Sequence, residues 1–138
     1  MVNGQNSLEG VKTMRPHQKL EAWSRAIDLV TDVYQSSDHF PKEERYGLTS
    51  QIRRASVSIP AILAEGAGRR SQKEFVHFLS NSQGSASELE TELIIANRLG
   101  YLDDATFVRL TAQLERIGRL ITGLVRHVSG GPAFTRTR

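Results

Sequence analysis

The sequence of 138 residues contains no cysteine and no long apolar run. The absence of cysteine excludes disulfides, thiolate metal sites and cysteine nucleophiles, and it fits a reducing compartment. No stretch reaches the ~20 apolar residues that cross a bilayer, and residues 1–16 lack the apolar segment of a signal peptide. We therefore expect a cytoplasmic protein that makes no membrane contact and depends on packing for its stability.

The sequence also lacks the alternation of apolar and polar residues that is typical of half-buried strands. Four segments instead repeat apolar residues at spacings of three and four, which predicts an all-α fold. Because the links between these segments are short, we expect an antiparallel up-down-up-down four-helix bundle in one domain, residues 17–128. The predicted helices cover residues 18–36, 43–66, 71–99 and 103–128, between a disordered segment 1–16 and a mobile basic tail 129–138.

Two of the predicted helices have a clear apolar face. We expect the first helix to pack through Leu20, Trp23, Ile27, Val30 and Tyr34. The fourth helix carries a heptad seam over three repeats, which predicts packing along its whole length. That seam consists of Phe107, Leu110, Leu114, Ile117, Ile121, Leu124 and Val128.

Local signals refine the two central helices. Pro60 predicts a kink or a local break in the second helix, and Gly66 with Gly68 predicts its end. Ser71 and Glu74 have the spacing of a capping box. Gly84 lies among small residues, which predicts that a neighbouring helix approaches closely there.

Candidate catalytic chemistry is sparse. Di-iron bundles carry Glu-x-x-His on two helices, whereas this chain has the pattern once, at Glu74 and His77. The glycines around Gly66 are not followed by the Lys and Ser or Thr of a phosphate loop. We therefore expect no enzymatic activity, no metal and no cofactor.

The excess of positive charge is small, with 18 Lys and Arg against 15 Asp and Glu, so its placement matters more than its size. Basic residues cluster on the second helix and at its exit, where they can neutralise nucleic-acid phosphates. The alternative is that these arginines form ion pairs, as Glu65 can with Arg69 and Glu115 with Arg119. Glu88 and Glu92 share a helix face that is either solvated or complementary to a basic partner. The candidate nucleic-acid contacts are Arg53, Arg54, Arg69, Arg70 and Lys73.

The order and spacing of several short motifs resemble those of a known family. The resemblance covers about residues 17–128, and it is to the small four-helix-bundle proteins encoded in intervening sequences of bacterial 23S ribosomal RNA genes. Its motifs include Phe40-Pro41, Tyr46-Gly47-Leu48-Thr49, Gln51-Ile52-Arg53-Arg54-Ala55, Ala64-Glu65-Gly66, Lys73-Glu74-Phe75, Glu88-Leu89-Glu90 and Gly100-Tyr101-Leu102.

The resemblance implies a ring-shaped homopentamer and a link to RNA. Relatives include accessory proteins of diversity-generating retroelements, which bind reverse transcriptase and nucleic acid through basic surfaces. This chain departs from the family at Ile62, where asparagine is usual. The resemblance places Gln51, Ser58, Glu65 and Glu88 at a subunit boundary or a pore.

Two hypotheses follow for the function. The first is a non-enzymatic oligomer that binds RNA or a ribonucleoprotein through the basic residues given above. The second is a protein-protein scaffold without nucleic-acid contact, whose arginines lie in subunit interfaces.

Overall fold

The computed structural model describes residues 14–130, which form four α-helices and two short 3-10 turns. No strand occurs within this range, so the all-α prediction is confirmed. The predicted disorder of the N-terminal segment and mobility of the tail concern residues that lie mostly outside the described range. The helices are α1 (Glu21–Ser36), α2 (Leu48–Ala67), α3 (Gln72–Arg98) and α4 (Asp104–Val128), and the 3-10 turns are Pro16–Lys19 and Lys42–Glu44.

The four helices surround one hydrophobic core. Each helix packs against its neighbours in sequence, and α1 also packs against α4, which closes the bundle. The fully buried large side chains come from all four helices, so the core is shared rather than divided between helix pairs. They are Leu29, Val33, Ile52, Ile59, Leu63, Leu79, Leu89, Leu93, Leu110, Ile117 and Ile121.

The helix ends follow the local signals closely. Ser71 accepts a hydrogen bond from the Glu74 N–H at 3.1 Å, and Asp103 accepts one from the Thr106 N–H at 2.7 Å. Gly100, which follows α3, has a φ of +82°, a conformation that glycine adopts without strain. These caps start α3 and α4 where they were predicted, because capping depends only on residues within one turn.

The first two helices begin later than predicted. α1 starts at Glu21 rather than at residue 18, and α2 starts at Leu48 rather than at residue 43. In both cases a 3-10 turn occupies the preceding residues, and Pro16 and Pro41 set the backbone angle at which each turn begins. The helical pattern alone does not separate such a turn from the helix that follows.

The predicted core face of α1 is wrong at Ile27 and Tyr34, which are exposed, whereas Trp23 does pack against the core. The structure buries Ala22, Ala26, Leu29 and Val33, whereas Ile27 is 38% exposed. The two faces are adjacent on the helix, and alanine on the inner face lets neighbouring helices approach closely. The predicted seam of α4 is confirmed in its middle, where Leu110, Leu114, Ile117 and Ile121 are buried.

The helix α2 runs through Pro60 without the local break that was one alternative. Proline leaves one carbonyl of the preceding turn without its helical partner. Ser56, Ile59, Pro60 and Leu63 are all buried around this point. Packing therefore compensates for the missing hydrogen bond.

A close approach between helices lies at Gly66 and not at Gly84. A Cβ atom on Gly66 would lie 2.5 Å from the Cβ atom of Phe78, whereas one on Gly84 would meet nothing within 4 Å. The hydroxyl of Ser82 donates to the Ile59 carbonyl at 3.2 Å, which ties the same two helices together. Close packing at Gly84 within one chain is therefore a wrong prediction, because Gly84 is exposed.

The helices α1 and α4 are joined by a half-buried acid, Asp32. Arg109 donates twice to the Asp32 carboxylate, at 3.0 and 2.8 Å, and Gln113 donates at 2.7 Å. These hydrogen bonds, led by those of Arg109, lower the pKa of Asp32 to about 2. The pair therefore stays ionised and holds α1 against α4 at neutral pH.

We predict that Gly66→Ala lowers the free energy of unfolding by about 1–3 kcal/mol, because the new methyl group overpacks the contact with Phe78. Chemical denaturation measures the change. Gly68→Ala is the matched control, since a Cβ atom there would be no closer than 3.7 Å to its neighbours. Equal stability of the two variants would contradict the close approach.

Candidate nucleic-acid interface

Arg53 is anchored within the bundle. Its Nε atom donates to the Ser37 hydroxyl at 2.9 Å, and its Nη2 atom donates to the Tyr34 carbonyl at 3.1 Å. The guanidinium lies 4.6 Å from the centre of the Tyr34 ring. Because carbonyls at the end of a helix lack helical partners, Arg53 stabilises the C-terminal end of α1 against α2.

Arg54 points in a different direction from Arg53. One residue along a helix rotates the side chain by about 100°. Arg54 is exposed and forms no ion pair with any residue in the range 14–130. The two consecutive arginines thus have different environments, since Arg53 makes contacts within the bundle and Arg54 is open to solvent.

Three cations lie at the junction of α2 and α3, with Arg69 and Arg70 in the turn and Lys73 in the first turn of α3. We call these three residues the basic turn. Arg69 pairs with Glu65 at 2.8 Å, and its guanidinium lies 4.7 Å from the centre of the Phe78 ring. Arg70 and Lys73 are exposed, and neither pairs with a carboxylate of the described residues. Two solvent-exposed cations, Arg70 and Lys73, therefore lie near the guanidinium of Arg69, whose direction is fixed by its contacts.

The structure does not bring the two predicted basic clusters together. Arg54 lies in the first half of α2, and Ala67 ends that helix. The rise along an α-helix places this end about 20 Å from Arg54. A ligand that contacts both clusters must therefore be extended.

The residues predicted at a subunit boundary have mixed surroundings within one chain. Gln51 and Glu88 are exposed, and the Ser58 hydroxyl donates to the Ala55 carbonyl at 2.8 Å. Glu65 pairs with Arg69, which confirms that ion pair, although Arg69 lies just beyond the end of α2. The other pair considered, Glu115 with Arg119, is not among the ion pairs of residues 14–130.

The side chain of Glu92 is buried, contrary to the prediction from the sequence. We expected its face to be solvated or paired, but Glu92 is only 6% exposed and its Oε1 atom has no hydrogen-bond partner in the described chain. Burial, followed by the charge of Glu88, raises the pKa of Glu92 to about 7. The signal was its position between Leu89 and Ala96 on the apolar line of α3.

The partial di-iron pattern leads to ordinary contacts. Glu74 provides the N–H that Ser71 caps, and the His77 ring lies 3.4 Å from the Asn81 amide. The part of the chain that the structure describes contains no group of three or more His, Asp or Glu that could hold a metal ion.

An open groove of about 720 Å³ lies between α3 and α4. Gln83 spans it by donating to the Thr122 hydroxyl at 3.0 Å. Glu90 and Arg119 place opposite charges along its walls. The groove therefore lacks the single sign of charge that attracts a polyanion.

The fold and the basic turn define a class of protein: small four-helix bundles with exposed cations at a helix end. The sequence model described as 23S rRNA-intervening sequence protein matches residues 18–123. This chain belongs to that family, which confirms the resemblance seen in the sequence.

A solved structure supports the same fold. It is the crystal structure of a protein with unknown function from the S23 ribosomal protein family of Bacteroides thetaiotaomicron. That structure has a TM-score of 0.71 and 18% sequence identity to this chain, and the match covers 76% of this chain and 98% of that one. No curated protein matches the sequence significantly, and no helix within residues 14–130 is long and apolar enough to cross a membrane.

We predict that Glu92→Gln stabilises the protein at pH 8 by about 1–3 kcal/mol, because it removes a buried charge. The pKa of Glu92 is about 7 in the folded protein and 4.5 in the unfolded chain, so folding favours the protonated carboxyl. The free energy of unfolding of the wild-type protein therefore falls as the pH rises from 4.5 through 7. Chemical denaturation between pH 5 and 8 measures both effects.

Glu90→Gln is the matched control, since Glu90 is exposed on the same helix. We expect it to leave the pH dependence of stability unchanged. A Glu92→Gln variant that is less stable than wild type at pH 8 would contradict the prediction.

Proposed function

We propose that this protein is a non-enzymatic, oligomeric helical bundle that binds RNA or a ribonucleoprotein through its basic surface. The observation that carries the proposal is that Arg54, Arg70 and Lys73 are exposed and form no ion pair with residues 14–130. Cations of this kind can contact phosphates without first breaking an ion pair, and they release counterions when they bind.

The predicted contact residues have different roles in this proposal. Arg54, Arg70 and Lys73 bind phosphates directly. Arg69 is orientated by Glu65 and by the Phe78 ring, so it can add a contact in a fixed direction. Arg53 positions α1 against α2, and any phosphate contact that it makes uses its remaining donors.

The proposal includes an antiparallel arrangement of the bundle in a cytoplasmic protein. Two ion pairs that join α1 to α4 support this direction. Glu21, near the start of α1, pairs with Arg116, whereas Asp32, near its end, pairs with Arg109. The order along α4 is thus the reverse of the order along α1. The absence of cysteine from the sequence fits the reducing cytoplasm.

We predict that the double variant Arg70→Glu and Lys73→Glu binds RNA at least tenfold more weakly at 50 mM salt, because two phosphate contacts become repulsive. The affinity should also fall less steeply with salt than that of the wild type. Fluorescence anisotropy with a labelled structured RNA, over a series of salt concentrations, measures both quantities.

The control for this experiment is the double variant Arg119→Glu and Arg126→Glu. It changes the net charge equally, but it does so on the groove between α3 and α4. Full RNA affinity of the Arg70 and Lys73 variant at low salt would sink the proposal.

Oligomerisation is the second part of the proposal, and an exposed apolar strip supports it. We define the apolar strip as Ile27, Tyr34 and Val57, which are 38%, 42% and 41% exposed. Tyr34 contacts Arg53, and Val57 lies one turn further along α2 on the same side. A self-contact that joins this strip to a different surface of the next copy generates a ring when the rotation closes.

The resemblance to the family favours five copies in that ring. The alternative scaffold function uses the same apolar strip but places the arginines in subunit contacts. Neutralising Arg54, Arg70 and Lys73 would then dissociate the oligomer and leave no nucleic-acid effect to observe.

We predict that the double variant Ile27→Glu and Val57→Glu reduces the mass in solution from about five chains to one chain of 15.4 kDa, because buried charges oppose association. Light scattering measures the mass. Val108→Glu is the control, since Val108 is 61% exposed and lies on α4, a helix that contributes no residue to the strip. An oligomer that persists in the strip variant would show that the strip is not the interface.

A further inference from the structure

A second cationic site lies at the opposite end of α2 from the basic turn. A cavity of about 520 Å³ opens between the C-terminal end of α1 and the first turn of α2. Three cations line it, Lys42, Arg45 and Arg53, together with one carboxylate, Asp38. The cavity therefore has an excess of positive charge.

Thr49 lines this cavity and carries a hydroxyl without a partner. The residue is 8% exposed, and its Oγ1 atom forms no hydrogen bond within the described chain. A buried hydroxyl is unfavourable unless it is hydrogen-bonded. The oxygen has less than 1 Å² of exposed surface, so a ligand in the cavity that Thr49 lines can supply the missing acceptor only after the side chain rotates.

The backbone at this point also favours an anion. The Leu48 N–H is taken by the Glu44 carboxylate at 2.9 Å. The next two N–H groups, those of Thr49 and Ser50, belong to the first turn of α2 and have no acceptor within the helix. Such groups, with the positive end of the helix dipole, commonly bind phosphate.

Arg53 is held in place for this task. Its bonds to Ser37 and Tyr34 use two donors, and a guanidinium has five. The remaining donors are orientated before any ligand arrives, so little side-chain freedom is lost on binding. Lys42 and Arg45 are exposed and have no ion pair among residues 14–130.

An aromatic ring completes the site. Tyr46 lines the cavity and is 87% exposed, and the Arg45 guanidinium lies 5.6 Å from the centre of its ring. An exposed ring beside a phosphate site is the arrangement on which single-stranded nucleic acids stack a base. Of the aromatic residues considered from the sequence, Trp23 and Phe75 are partly buried against the core, and Phe78 is partly buried beside Gly66.

We propose that this cavity binds one nucleotide of a single-stranded RNA. Lys42, Arg45 and the free donors of Arg53 hold the phosphate at the start of α2, and the base stacks on Tyr46. The Thr49 hydroxyl joins the phosphate contacts once its side chain has rotated toward the cavity. The inference rests on the proposed RNA-binding function and deepens it, because it adds a site for single strands about 30 Å from the basic turn, the length of α2.

The first experiment titrates the protein with adenosine 5′-monophosphate and follows backbone amide chemical shifts. We expect the largest shifts at Thr49 and Ser50, and at least tenfold weaker binding by Arg45→Ala. Adenosine without phosphate should bind at least tenfold more weakly than the monophosphate. Arg126→Ala, on the groove between α3 and α4, is the control and should bind as the wild type does.

Thr49→Val gives a readout that a merely structural role would not produce. It keeps the shape of the side chain and removes the unpartnered hydroxyl, so we expect a higher melting temperature without ligand and weaker binding of the nucleotide. A lower melting temperature with unchanged nucleotide affinity would overturn the role of Thr49.

The second experiment separates this inference from the proposed function. It measures the affinity of a labelled single-stranded oligoribonucleotide for Tyr46→Ala and for the Arg70→Glu and Lys73→Glu variant. Weaker binding by Tyr46→Ala supports the inference. Binding that depends on Arg70 and Lys73 but not on Tyr46 or Arg45 overturns the inference and leaves the proposed function intact.

If wild-type protein binds no RNA, the proposed function and the assignment of RNA to this cavity are both overturned. The titration with the monophosphate then decides the cavity by itself. Shifts confined to Thr49 and its neighbours would identify a site for free nucleotides, and no shift would rule out a nucleotide site.

Discussion

The close contact between α2 and α3 is the constraint on which the rest of the surface depends. Gly66 leaves no room for a side chain against Phe78, and Ser82 bonds to the Ile59 carbonyl on the neighbouring helix. These two contacts fix how far α2 slides along α3. They also bring Arg69 over the Phe78 ring, so the turn that carries Arg70 and Lys73 has a defined position. Packing in the core therefore fixes the position of the charged residues on this turn.

The basic residues of this protein have two kinds of task. Arg53 and Arg109 connect helices, through the end of α1 and through Asp32. Arg54, Arg70 and Lys73 remain open to solvent at intervals along α2 and its exit. A small formal charge of +3 is thus compatible with an RNA-binding surface, because the open cations are concentrated on one helix and the turn beyond it.

Several polar and small residues have no compensating contact inside one chain. Glu92 and Thr49 are buried with an unpartnered oxygen, and Gly84 faces open space in the middle of α3. Each is unfavourable for the isolated bundle. Natural proteins tend to keep such features where a ligand or a partner uses them. Thr49 has the surroundings of a ligand site, which is why the nucleotide proposal is built on it and not on Glu92 or Gly84.

The sequence by itself determined the features that depend on near neighbours along the chain. Caps at Ser71 and Asp103, the seam of α4 and the family motifs all involve residues within a few positions of one another, so periodicity and spacing reveal them. The pairing of Glu65 with Arg69 belongs to the same class, since the two residues lie only four positions apart.

Only the tertiary structure decided which of two adjacent apolar faces of α1 enters the core, and which of two consecutive arginines is anchored. The partners of Arg53 lie on α1, and those of Asp32 lie on α4, far away in the sequence. A helical pattern gives the angle between successive side chains, but it does not tell which side of the helix faces the core. That direction follows from how all four helices pack, and it separates the open cations from the structural ones.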